Sequence, residues 1–165
     1  MDTLYQDLTR EFLQAGTVAL FGYSRKGDAV ANGLFDKFNA NGIPVVIIHP
    51  QAGELKGKPA FSSVAEATPK PVAAMICTHP GQATAVVRAC LDAGIRQFWF
   101  HRSVDEGSFS EEAARMAMEA GASVIPGGCP MMFIKPDIAH RCIRFFIRNS
   151  PKFRAEPWNK PTPVH

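Results

Sequence analysis

Long apolar runs are missing from this 165-residue chain. The longest, Val72 to Cys77 and Val45 to Ile48, fall far short of the roughly 18 to 20 residues that a membrane-crossing helix needs. Cysteine is sparse too: the four, at positions 77, 90, 129 and 142, form no C-x-x-C pair and no Cys/His couple at zinc spacing, which argues against a structural metal site. Met1 to Gly16 carries Asp2, Asp7 and Glu11 and lacks the basic-then-apolar order of a secretory signal. A cytoplasmic location is the resulting expectation, and there the cysteines are free thiols. Charge of one sign is also scarce. The net value is only +3, so neither nucleic acid nor a membrane is an expected partner, although the distribution is uneven. Residues 1–134 hold 11 Lys and Arg against 13 Asp and Glu, whereas residues 135–165 hold 7 against 2, which leaves a slightly acidic body and a basic end.

What is abundant is punctuation. Thirteen Gly and 13 Pro are spread at intervals, nearly all singly, rather than in a low-complexity tract, so they separate short elements. At 18.0 kDa the chain has the size of one domain, expected over residues 1–150, with a Pro-rich tail over 151–165. Five short runs read as strands: Thr17 to Gly22, Pro44 to His49, Val72 to Thr78, Gln97 to His101 and Ala122 to Pro126. Their near-continuous hydrophobicity fits a parallel sheet covered on both faces.

Helical signals lie between and around them. Asp28 can cap a helix carrying Val30, Leu34 and Phe38, and Gly81 to Ala93 carries Ala83, Val86, Val87 and Cys90. Ser108 and Glu111 have the spacing of a capping box before Ala113, Met116 and Ala117. Thr3 and Gln6 repeat that spacing at the head of a helix over Thr3 to Ala15, another helix covers Asp137 to Asn149, and one helical turn is expected from Ser63. Alternation of strand and helix with short connections predicts an α/β fold, a Rossmann-like doubly wound sheet of about five parallel strands with helices on both faces.

Ligands of such sheets bind beyond the carboxyl ends of the strands, where strand order reverses. The first strand-end loop, Gly22-Tyr23-Ser24-Arg25-Lys26-Gly27, is G-x-S-x-x-G, one residue from the dinucleotide fingerprint, with two cations and a hydroxyl at the start of a helix. A phosphate cradle is the functional reading; a plain strand-to-helix turn is the ordinary one. A nicotinamide dinucleotide wants an acid at the end of the second strand for its ribose hydroxyls, and His49-Pro50 stands there instead. The nearest acid, Glu54, shares its loop with Lys56 and Lys58, so these residues favour an adenine nucleotide with additional phosphate over NAD.

The motifs V-A-L-F-G-Y-S-R-K, V-I-I-H-P, E-L-K-G-K-P-A-F-S-S-V-A-E, A-G-I-R-Q-F-W-F-H and G-G-C-P-M-M-F, in that order after a leading helix, resemble the stand-alone coenzyme A-binding proteins. That family is similar in fold to the nucleotide-binding domain of the succinyl-CoA synthetase alpha subunit, and the resemblance spans about Leu4 to Arg148. It implies coenzyme A or an acyl-CoA as ligand. Gly22, Tyr23, Ser24, Arg25 and Lys26 are then expected on the CoA phosphates, His49 and Pro50 beside the adenosine, and Lys56 in a flanking loop. Thr78, His79 and Pro80 are expected along the adenine or pantetheine.

Other residues have quieter readings. Cys129 could approach the pantetheine thiol but is expected as a buried free thiol; His79 and His101 could form an acid/base pair or serve as structural hydrogen-bonding groups. Met131, Met132 and Phe133 read as core. Arg141, Arg144 and Arg148 form a basic stripe, expected on a solvated face with Ile138, Cys142, Phe145 and Phe146 packed inward. The favoured function is a non-catalytic CoA-binding or regulatory module. The alternatives are an NAD(P)-dependent oxidoreductase and a CoA transferase or ligase component needing a partner. A serine hydrolase lacks the final Gly of G-x-S-x-G.

Overall fold

The five expected strands all form: β1 Val18–Phe21, β2 Val45–Ile48, β5 Ala73–Ile76, β6 Gln97–Phe100 and β7 Ser123–Ile125. They belong to a computed structural model that describes residues 2–102, 107–150, 153–155 and 158–159. Two strands absent from the sequence reading, β3 Gly53–Leu55 and β4 Lys58–Phe61, widen the sheet to seven, in the order β3-β4-β2-β1-β5-β6-β7. All pairings are parallel except that of β3 with β4. From β1 the chain goes outward on one side through β2 to β4, then returns past β1 to β5 and continues on the other side. Strand order therefore reverses between β1 and β5.

Strand side chains alternate between two apolar layers. Val18 and Leu20 of β1 join Met75 and Trp99 on the face covered by α1 (Thr3–Gln14) and α2 (Val30–Ala40). Ala19 and Phe21 join Ile76, Phe98 and Phe100 beneath α3 (Pro80–Asp92) and α4 (Glu111–Glu119). A two-residue period with both faces apolar is what a covered parallel sheet requires. On the first face, Tyr5 Oη and Trp99 Nε1 both donate to the Gly127 carbonyl, at 2.6 and 2.8 Å. The two buried donors thereby tie α1, β6 and the end of β7 together, at about 1 kcal/mol per bond.

Three helix starts differ from expectation. Asp2, not Thr3, caps α1 by accepting from Tyr5 N, and its second oxygen accepts from Ala155 N at 3.1 Å. Ser110 rather than Ser108 caps α4, because Ser108 is buried and its N–H donates to the His101 carbonyl at 2.7 Å. Helix α2 begins after Ala29 without a side-chain cap; Asp28 is engaged in the preceding loop instead. The stretch from Ser63 makes a turn in which Ser63 Oγ accepts from Glu66 N. It does not lengthen into a helix, since Thr68 precedes Pro69 and is biased away from helical backbone.

The last helix, α5 (Ile138–Ile147), is rotated from its expected orientation. Ile138, Phe145 and Phe146 are exposed, whereas Ile143 and Ile147 pack against the core. Arg144 also turns inward, its guanidinium 4.5 Å from the centroid of Phe133. Met132 is buried in a single 3-10 turn, Pro130–Met132, as its core reading requires. The described part of the tail packs on the body: Phe153 and Ala155 are buried, and Asn159 exchanges two 2.8 Å bonds with the backbone of Val124. Pro151, Pro157, Pro161 and Pro163 lie outside the described residues.

Candidate functional site

The chain switches direction beside Gly22, and the backbones crowd there. A Cβ on Gly22 would lie 2.6 Å from the Cys77 carbonyl oxygen, and its φ of +93° is one that side chains rarely tolerate. Only glycine brings the end of β1 this close to the end of β5. The loops leaving the two strands consequently face each other across one cleft.

Asn32 fixes the first loop from the opening turn of α2. It is buried, accepts from Ser24 N at 2.9 Å and donates through Nδ2 to the Ser24 carbonyl at 2.9 Å. Ser24 Oγ donates to Asp28 Oδ1 at 2.8 Å and accepts from Lys26 N at 3.1 Å, so its hydroxyl organises the loop. Tyr23 is buried, edge-on to Phe35, so its ring belongs to the core. Arg25 and Lys26 are exposed. Behind them stands the uncapped start of α2, whose N–H groups and positive dipole end attract an anion.

Lys56 joins this loop from the β3–β4 hairpin. The two-residue turn Lys56-Gly57, with φ of 53° and 74°, delivers Lys56 Nζ to the Lys26 carbonyl at 3.0 Å. The ammonium also occupies the space above Gly27 where a Cβ would sit. Lys58 is committed elsewhere. It bonds Asp36 at 2.6 Å and lies over the Phe35 ring, and the Asp36 carboxylate raises its pKa.

The other strand ends complete the cleft. His49, after β2, accepts from Gln51 N through Nδ1 at 3.0 Å, with Pro50 exposed beside it. His79 accepts from Gly81 N through Nδ1 at 3.1 Å and caps α3, with Pro80 as the first helical residue. Neither ring's Nε2 has a hydrogen-bond partner among the described residues. A cavity of about 410 Å³ is lined by Val30, Cys77, Thr78, His79 and His101, together with Gly107 and Ser108. His79 and His101 are thus brought together, beside the Thr78 Oγ1, which is buried without a hydrogen-bond partner among the described residues. Ser103, in the loop after β6, lies outside those residues.

Cys129 does not line this cavity; it is buried against the α1 face, and burial pushes its thiol up to about 11. Burial likewise raises Cys77 well above the usual thiol range. Among the described residues, no helix is long and apolar enough to cross a membrane and no group of three His, Cys, Asp or Glu side chains could hold a metal ion. Asn32 was missed in the sequence, though a polar, helix-disfavouring residue in the first turn after a Gly-containing loop was its available signal.

Comparison with known proteins adds to this geometry. The sequence model of the CoA binding domain matches residues 16–135. No curated protein sequence matches the chain. Among solved structures, a redesigned binding protein, Prb, superposes with a TM-score of 0.69 at 23% identity, covering 81% of this chain and 93% of its own. A hypothetical protein from Pyrococcus horikoshii gives 0.68 at 20% identity, with 82% and 92% covered. A dinucleotide forming acetyl-coenzyme A synthetase from Ca. Korarchaeum cryptofilum, in complex with phosphate and ADP, gives 0.60 at 25% identity. It covers 72% of this chain but only 27% of that larger protein.

Proposed function

The chain belongs to the CoA-binding-domain family, and on that premise we propose that it binds coenzyme A or an acyl-CoA in the strand-end cleft as a module without chemistry of its own. One observation carries the binding mode: the uncapped start of α2 lies beneath a loop bearing Arg25, Lys26 and the reaching Lys56. Backbone N–H groups and three cations there suit a diphosphate. The adenosine is assigned to the side of His49 and Pro50, where no acid stands to take free ribose hydroxyls. The pantetheine arm is assigned to the cavity beside Thr78, whose unpartnered hydroxyl suits an amide of the arm.

Absence of chemistry is argued from the thiols. Cys77 borders the cavity with two histidines, the arrangement a nucleophile needs, but burial raises its pKa instead of lowering it, so the thiol stays protonated at neutral pH. Thermal shift with CoA and NAD is the direct test. CoA at 100 times its dissociation constant adds about 2.7 kcal/mol of stability, and NAD much less. Equal or larger shifts with NAD overturn the assignment. Turnover of acetyl-CoA or succinyl-CoA by the purified chain makes it an enzyme.

A further inference from the structure

We propose that the groove between α1 and α5 is a second ligand site, which takes a small molecule carrying two or three adjacent phosphate or carboxylate groups. Two adjoining cavities, of about 450 and 240 Å³, share Gln6 and Arg144. Arg141, Arg144 and Arg148 all line the larger, and Arg10 lines the smaller. None of the lining residues lines the strand-end cavity or belongs to the loops after β1, β2 and β5, so the site stands or falls independently of the CoA reading.

Ordinary surface arginines differ from these in two ways. First, the three from α5 have no carboxylate within ion-pair distance among the described residues; Arg10 alone is paired, with Asp7 at 3.1 Å. Aromatic rings hold two of them instead: Arg144 lies 4.5 Å from the centroid of Phe133, and Arg148 lies 4.2 Å from that of Phe145. Stacking occupies a guanidinium's face and leaves its N–H edge for phosphate or carboxylate, although on Arg144 part of that edge is taken, since Nη1 donates to the Met132 carbonyl at 3.4 Å. Second, Thr9, which lines the smaller cavity, is only 3% exposed, yet its Oγ1 has no hydrogen-bond partner among the described residues. A buried hydroxyl without a partner is costly in a closed protein and is accounted for by a ligand that completes it. Gln6 and Asn149 supply neutral polar groups, while Pro136, Phe145 and Leu13 form apolar walls. The larger cavity has a small-molecule site's volume.

The test is calorimetric titration of the whole chain with tripolyphosphate and, separately, citrate, in a background where Arg25→Ala and Lys26→Ala weaken the phosphate loop. Saturable binding at one site per chain is expected for at least one anion; the stronger of the two shows whether phosphate or carboxylate is the natural group. Adding Arg141→Ala and Arg148→Ala weakens it about tenfold or more. Thr9→Val weakens it about fivefold while leaving the free protein at least as heat-stable, since an unpartnered buried hydroxyl is removed. Lack of saturable binding by both anions, or binding indifferent to the arginine and Thr9 substitutions, overturns the proposal. Loss of CoA binding alone leaves it untouched.

Discussion

Asn32 occupies a helical turn that would prefer another residue, and its two bonds to the backbone of Ser24 are what the position gains in return. Asn32→Ala should therefore improve local helix propensity yet free the loop: stability falls by about 1 to 2 kcal/mol for the two lost bonds, and CoA affinity falls about tenfold. Urea unfolding and calorimetry separate the two effects, and unchanged affinity would show that the loop needs no clamp. Lys56 makes a sharper case. Its ammonium rests on the loop at Lys26 and Gly27, so Lys56→Ala should weaken CoA and dephospho-CoA alike, by about tenfold given a charge-assisted contact in a partly exposed site. A loss confined to CoA would instead assign Lys56 to the 3′-phosphate. At Gly22, alanine meets both an unfavourable φ and the Cys77 backbone, and should cost at least about 2 kcal/mol by urea unfolding.

Elements differ in how openly the sequence declares them. Strands β1, β2, β5, β6 and β7 are apolar on both faces, and an uninterrupted run between glycines or prolines is enough to mark each one. The β3–β4 hairpin was hidden because it lies at the sheet edge: Gly53, Glu54 and Pro59 are exposed, leaving only Leu55 and Ala60 as buried side chains. Its Lys-Gly turn was the available sign. Helix α5 misled for another reason: it carries large apolar residues on two stripes, and periodicity cannot say which stripe is inside. Phenylalanine bulk favoured Phe145 and Phe146, whereas the core takes Ile143 and Ile147, beside the Arg144–Phe133 stack. Replacing the exposed Phe146 by Ser should shift stability by no more than about 0.5 kcal/mol, whereas Ile143→Ala should cost about 2 kcal/mol or more. Equal costs would return α5 to its sequence-based orientation. At the candidate site, the contiguity of Gly22, Arg25 and Lys26 with the start of α2 is open to reading from the sequence, but the bonds of Asn32 and Lys56 to that loop depend on tertiary placement that spacing does not encode.

At the scale of the whole molecule, the two apolar layers that hold the sheet also set the chemistry of its thiols. Cys90 sits in one layer and Cys129 in the other, and burial pushes them up to about 12 and about 11; the Tyr5 phenol rises as well. A thiol whose folded pKa exceeds its unfolded value, near 9, keeps its proton in the fold after the unfolded chain has lost it. Its contribution is complete below pH 9 and is lost as pH rises through the folded value, so folding stability should decline between about pH 9 and pH 12. Each thiol can contribute a slope of about 1.4 kcal/mol per pH unit in that window. The same protonated, enclosed thiols are poor nucleophiles at pH 8, whereas Cys142 is exposed on α5. Iodoacetamide at pH 8 should accordingly label the native chain at Cys142, and all four cysteines only in denaturant, as read by intact and peptide mass. Urea midpoints should fall from pH 8.5 to pH 10.5, and Cys129→Ala should flatten part of that fall even if it lowers stability throughout. Rapid native labelling of Cys77 or Cys129, together with midpoints indifferent to alkali, would mean that the layers admit water. The case for a catalytically silent module would then lose its basis.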